Sequence, residues 1–126
     1  MYYGLFESES DVRKEFQIDS VNGEIVFAAY EYEDYSGSAE VIFISNGKFW
    51  HVSGSHCSCY GLEEQWVPEE MPLKAILHIV EKSSYGMMSQ MRKEILAAID
   101  NALNRLGIDE MTPQDAAEVA LRIAYR

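Results

Sequence analysis

Basic residues are scarce where this chain is most acidic. Residues 1–72 contain three bases (Arg13, Lys14 and Lys48) against 14 acids, giving −11, whereas residues 73–126 hold 7 acids and 7 bases and sum to zero. The formal net charge of −11 therefore belongs wholly to the first part. Such a field repels nucleic-acid phosphates, so direct DNA or RNA binding is not expected. It favours a cationic protein surface, a cationic ligand or a metal, while solubility is the plain use of the same charge.

Other absences narrow the field further. No apolar run approaches the about 20 residues of a membrane span. The opening Met1-Tyr2-Tyr3-Gly4-Leu5-Phe6-Glu7 has no basic segment followed by an apolar one, so neither a signal peptide nor a membrane role is expected, and a cytoplasmic location is. There the two cysteines default to reduced thiols. Glycine-rich phosphate loops, internal repeats and low-complexity linkers are missing. A chain of 126 residues, 48% hydrophobic and 12% aromatic, suits a single domain over 1–126 that buries its core without disulfides or metal.

The pattern predicts an α+β fold: an antiparallel meander of three to four strands, preceded by a short helix and followed by three helices, the last two a helical hairpin. Ser8 or Ser10 caps the first helix near Asp11, with Val12, Phe16 and Ile18 inward and Asn22-Gly23 as its end. Glu24 to Asp34 reads as a strand, with Ile25, Phe27 and Ala29 on one face and Val26, Ala28, Tyr30 and Tyr32 on the other. Asp34-Tyr35-Ser36-Gly37 is a turn by composition. Ala39–Ile44 and Lys48–Ser53 are the next strands, joined through Asn46-Gly47, whose residue types suit the positive φ of a type I′ turn. Gly54–Gly61 breaks the strand pattern, and Leu62–Val67 forms a short fourth strand. Pro68 to Pro72 is an extended connector. Leu73, Ile76, Leu77 and Val80 then mark a helix. Met88, Met91, Ile95, Ile99, Leu103 and Leu106 stripe a longer one over Met87–Leu106, stopped by Gly107. Thr112-Pro113-Gln114-Asp115 opens the last helix. The division is thus an acidic sheet part, 1–72, and a charge-neutral helical part, 73–126.

The segment His51-Val52-Ser53-Gly54-Ser55-His56-Cys57-Ser58-Cys59-Tyr60-Gly61 holds both cysteines and two of the three histidines. His51, His56, Cys57 and Cys59 are the one set that can hold zinc, which takes about four such ligands in tetrahedral geometry. Their spacing argues against it: Cys-x-Cys replaces the usual Cys-x2-Cys, and no second cluster follows apart from His78. Cys57 or Cys59 as a nucleophile, with His51, His56 or His78 as base, lacks a nearby Lys or Arg to lower the thiol pKa. The alternative is a tight corner in which Cys acts as a small hydrophobe. The pairs Glu63-Glu64 and Glu69-Glu70 are adjacent and point apart, which suits solvation better than acid–base work. Tyr30, Tyr32, Tyr35, Trp50, Tyr60 and Trp66 suit packing better than ligand stacking. Glu31 and Glu33, with Asp34 and Glu40 nearby, share one strand face roughly 6.6–7 Å apart, a spacing like that of nucleic-acid phosphates. A row of this kind can occupy a groove built for DNA or RNA.

The run Phe27-Ala28-Ala29-Tyr30-Glu31-Tyr32-Glu33-Asp34-Tyr35-Ser36-Gly37-Ser38-Ala39 is followed by Gly47-Lys48, by Gly54-Ser55-His56-Cys57-Ser58-Cys59-Tyr60-Gly61-Leu62-Glu63, and by Gln65-Trp66 and Pro68-Glu69-Glu70. Together with Asp11-Val12 and Glu15-Phe16-Gln17-Ile18, these residues resemble a family of small proteins of tailed phages and prophages to which no activity is assigned. The resemblance covers about residues 5–80, and the helices from 87 onward look like an addition that completes the core or makes a homodimer interface. The resemblance gives a phage context. By analogy with other small acidic phage proteins, the expected role is an interaction protein, acting in the host cytoplasm, that binds and inhibits a host protein with a basic surface and catalyses no reaction. Glu31, Glu33, Asp34, Tyr35, Glu40, Glu63 and Glu64 are the expected contact residues. The alternatives are a zinc- or thiol-dependent protein centred on His56, Cys57 and Cys59, and a module that sequesters a small ligand among its aromatics.

Overall fold

The computed structural model describes residues 1–58, 60–84 and 86–106. Its fold is α+β. A five-stranded sheet runs in the order β1 (Tyr2–Gly4), β2 (Glu24–Glu33), β3 (Ser36–Ser45), β4 (Lys48–Cys57) and β5 (Glu69–Glu70). The helix α1 (Glu9–Phe16) precedes the meander, and α2 (Leu73–Lys82), α3 (Met87–Gln90) and α4 (Arg92–Leu106) follow it. The predicted antiparallel meander is β2–β3–β4.

Both meander turns have two central residues with positive φ, as a type I′ hairpin turn requires. Asn46 and Gly47 have φ of 55° and 74°, between the pair Ser45 and Lys48. Asp34 and Tyr35 have 49° and 66°, between Glu33 and Ser36. The first turn is therefore shorter than expected, and Ser36 and Gly37 already belong to β3.

Three strand readings are corrected by backbone pairing that composition does not reveal. Gly54 does not end β4: it pairs with Ala39, and the strand continues to Cys57. A Cβ at Gly54 would lie 2.9 Å from Leu62 Cδ2 and 3.3 Å from Phe16 Cε1, so the glycine admits a close neighbour rather than breaking the strand. Leu62–Val67 is a looped segment, not a strand, and the last strand is Glu69–Glu70, inside the predicted connector. β1, unpredicted, pairs in parallel with β2. Gly4 fits there because its φ is 66° and a Cβ would meet the Tyr30 carbonyl oxygen at 2.2 Å.

The expected facing of β2 is also corrected. Ile25 pairs with Phe43 and Phe27 with Ile42, so Val26 is an extra residue in a β-bulge. The bulge shifts the phase of the side chains. Val26, Phe27 and Ala29 then join one core, with Ile42, Ile44 and Phe49. Ile25, Ala28 and Tyr30 join the other, with Val41, Phe43 and Val52. The sheet is thus covered on both faces. Leu73, Ile76, Leu77 and Val80 of α2 and Ile95, Ile99 and Leu103 of α4 close the first core. Phe6, Val12, Phe16, Val21 and Leu62 close the second. Each such side chain contributes about 1.5–3 kcal/mol by leaving water.

The helices keep their predicted faces but not all their bounds. In α1, Val12 and Phe16 lie one turn apart and are buried. Ser8 is the N-cap residue without a side-chain bond; instead Asp11 Oδ2 accepts the Glu7 N–H at 2.9 Å. Gln17, at φ 58°, ends the helix well before Asn22-Gly23. The long helix predicted over Met87–Leu106 is interrupted at Met91, giving α3 and α4. Beside the break, Arg92 Nε donates to the Val80 carbonyl at 2.9 Å and Nη2 to that of Ser83 at 3.2 Å, capping the end of α2. The stripe residues Met88, Ile95, Ile99 and Leu103 face the sheet, so this stretch completes the core. Gly107 and the helix from Thr112, hence the helical hairpin, lie outside the described residues.

Candidate functional site

The sheet register sorts the candidate residues onto two faces. Odd-numbered positions of β2 and β4 beyond the bulge point toward the α2–α4 side, and even-numbered ones toward α1. At the β2–β3 end, two cross-strand rows lie outside the buried core: Glu31, Ser38 and Ser55, then Glu33, Ser36 and Cys57. All six are exposed. Glu31 and Glu33 therefore share an open face, and Asp34 and Tyr35 continue it at the turn. The floor beside the two carboxylates is paved with short side chains, three of them serines.

Glu40 lies one row inward on the same face, opposite Ala29 and Ser53. Its carboxylate is engaged: Oε2 lies 2.5 Å from His51 Nε2, and Oε1 accepts the Ser53 hydroxyl at 2.9 Å. Glu63 and Glu64 sit on the loop beyond β4 instead. Glu64 is exposed with φ 65°. The Glu63 carboxylate accepts the Gly61 N–H at 3.0 and 3.2 Å. Its own and the Gly61 backbone N–H hold its pKa below the usual glutamate value, with a further contribution from the nearby His56. The seven expected contact residues thus do not form one face. Glu31, Glu33, Asp34 and Tyr35 cluster at the hairpin end, Glu40 is tied down beside it, and Glu63 and Glu64 lie on the separate loop.

The histidine–cysteine set is divided by the same alternation. His51 and Cys57 point to the α2–α4 side, three rows apart, and His56 points to the opposite face. His78 is exposed on α2. Among the described residues, no three of His, Cys, Asp and Glu converge in a group fit for a metal. Cys57 is a free, exposed thiol, and Cys59 lies outside the described residues.

His56 is instead part of a buried polar pair. Its Nδ1 lies 2.7 Å from the carbonyl oxygen of Cys57, which only accepts, so Nδ1 carries a proton. In the neutral ring, Nε2 then accepts the Tyr30 hydroxyl, 2.6 Å away. Burial pushes the Tyr30 pKa up, and Glu15, Tyr32 and Glu63 add to the shift. The ring of His56 lies against Gly37, where a Cβ would fall 2.2 Å from Nε2. Gln65 links the following loop back to β4: its Oε1 accepts the Ser55 N–H at 2.8 Å, and its Nε2 donates to the Gly61 carbonyl at 3.0 Å. In the sequence Gly37 reads only as a turn residue and Gln65 only as part of the resemblance, and nothing there pairs Tyr30 with His56. The one available signal was a tyrosine and a histidine, both at even positions of strands that face the same core.

Most of the aromatic set is packed. Phe43 stacks with Trp50 and Trp66 at centroid distances of 6.4 and 5.6 Å, and Trp66 meets Phe16 edge-on at 5.1 Å. Tyr32 leans on His56 at 4.9 Å with its far side open, while Tyr35 and Tyr60 are exposed. What the arrangement offers chemically is an anionic, hydroxyl-bearing sheet face with tyrosines around its end. Comparison with protein-family models, with curated proteins and with solved structures found no match for this chain.

Proposed function

We propose that this chain is a small acidic interaction protein, of the tailed-phage type its sequence resembles. In this reading it acts in the host cytoplasm, binding and inhibiting a host protein through a basic surface on that partner, and it catalyses no reaction. The observation that carries this reading is the open face bearing Glu31 and Glu33, followed by Asp34 at the turn. Two carboxylates on alternate residues stand roughly 7 Å apart along the strand. The helices bury the apolar positions of that face, while Glu31 and Glu33 lie in exposed rows, so the charges face outward rather than inward. Lys48, the single base of the meander, sits at the opposite end of β4 and pairs with Glu70 at 3.1 Å. The field at the hairpin end is therefore uncompensated within the meander. Such a field steers a cationic surface toward it and repels polyphosphates.

The test is affinity capture of partners from a host lysate at low and high salt, using the wild-type chain and the triple variant Glu31→Lys, Glu33→Lys, Asp34→Lys. Capture that is lost at high salt and lost in the variant supports the reading, provided the variant melts as a folded protein. Capture that is insensitive to both would remove the acidic face from the interaction.

A further inference from the structure

The aromatic side chains of the α1-side core pack ring against ring, but three tyrosines are left out at one end. Tyr35 is 79% exposed, Tyr60 69% and Tyr32 42%. The topology gathers them. Tyr35 is the second residue of the β2–β3 turn, and Tyr32 sits opposite Gly37 at the start of β3. Tyr60 donates its N–H to the carbonyl of Cys57, which sits opposite Ser36. Tyrosine is enriched at the energetic centres of protein interfaces, because its ring offers a large contact area with few rotatable bonds. Tyr35 also stands at φ 66°, a conformation that suits glycine, so its ring is displayed at a position where the turn itself would prefer no side chain.

We propose that this hairpin tip is an arginine-selective docking site. A guanidinium of a basic partner segment stacks on the ring of Tyr35, and the carboxylates of Glu33 and Asp34 accept its N–H groups. The inference rests on the acidic-face reading above and specifies which cation that face takes. Charge complementarity commits the surface to a cation. The exposed rings then separate the two cationic side chains. A guanidinium is planar and weakly hydrated, so it stacks on an aromatic face while its edge donates to carboxylates. A lysine ammonium is compact and strongly hydrated and gains less from the ring. The short serines on the adjoining floor let a partner main chain approach closely beside the tip.

The experiment measures binding of the full chain to labelled oligo-arginine and oligo-lysine peptides of equal length by fluorescence anisotropy at two salt concentrations. Oligo-arginine is expected to bind about fivefold tighter than oligo-lysine, the size of an exposed cation–π contribution. Tyr35→Gly is expected to abolish that preference while melting at the same or a higher temperature, because glycine suits the turn. Tyr35→Phe keeps the ring and is expected to keep the preference. Glu33→Gln with Asp34→Asn is expected to weaken both peptides alike. Equal affinities for the two peptides, or a preference that survives Tyr35→Gly or is lost in Tyr35→Phe, would overturn the arginine site and leave the acidic-face reading standing. Failure of both peptides to bind, or binding indifferent to salt, would overturn both.

Discussion

Tyr30 Oη lies 2.6 Å from His56 Nε2 across the α1-side core, and this contact decides what the Ser-His-Cys string does in the fold. The imidazole is 8% exposed and bonded at both nitrogens, so it serves as a satisfied core group that ties the end of β4 to β2. Tyr30→Phe would leave Nε2 buried without a partner, at a cost of about 1–3 kcal/mol. Urea denaturation would measure it. A loss well below that range would show that the pair is dispensable. Spectrophotometric titration provides a second readout. Burial raises the Tyr30 pKa, so the neutral phenol's stabilisation is complete below the ordinary tyrosine pKa and is lost as pH rises through the folded value. Tyr30→Phe should remove that alkaline loss.

The second prediction concerns Gly37. A Cβ there would fall 2.2 Å from His56 Nε2, so Gly37→Ala must push the ring off its two partners. A cost of about 2 kcal/mol or more is expected from overpacking of this kind. The same substitution in a His56→Ala background should cost far less, because the obstructing ring is gone. A double-mutant cycle by thermal or urea unfolding checks this. Additive costs would mean that Gly37 is required for its backbone and not for the histidine.

The third prediction is a pH dependence. The Glu63 pKa is lowered chiefly by backbone N–H groups of Glu63 and Gly61. A carboxyl with a lowered folded pKa contributes stability that is present above its unfolded pKa and is lost as pH falls through the folded value. Stability should therefore decline on acidification below the ordinary glutamate range, and Glu63→Gln should flatten that limb by lowering stability at neutral pH toward its acid value. Unfolding midpoints measured across the acid range would show it. An unchanged acid limb in the variant would assign the decline to other carboxylates.

These contacts also explain how far the sequence could be read. The meander was legible because Asn46-Gly47 suits a turn with positive φ and because β-branched and aromatic residues mark β2 and β3. Alternation gives the wrong facing at the start of β2 because a bulge at Val26 shifts the phase, and nothing in Ile25-Val26-Phe27 distinguishes a bulged valine from a paired one. Gly54 read as a breaker because glycine's two uses, terminating a strand and admitting a close neighbour, look alike without Leu62 and Phe16 in view. β1 and β5 span three and two residues, too few for a periodic signal. At the site, the shared face of Glu31 and Glu33 follows from alternation alone. The Tyr30–His56 pair spans 26 positions and two strands, which no local pattern encodes.

The same alternation gives the fourth prediction, that the acidic face is dispensable for folding. Glu31 and Glu33 are exposed, and their rows lie beyond the core that α2 and α4 cover. Two like charges roughly 7 Å apart repel weakly in water, an interaction that salt screens at the Debye length of about 10 Å at 0.1 M. Removing both charges in Glu31→Gln, Glu33→Gln should thus leave stability within about 0.5 kcal/mol of wild type, on the stabilising side, with the gain larger at low ionic strength. Thermal melts at two salt concentrations provide the measurement. A clear loss of stability would mean that the carboxylates hold the sheet together, and any binding defect of charge-reversed variants would then reflect unfolding. Retained or raised stability would tie such a defect to the surface these two residues present.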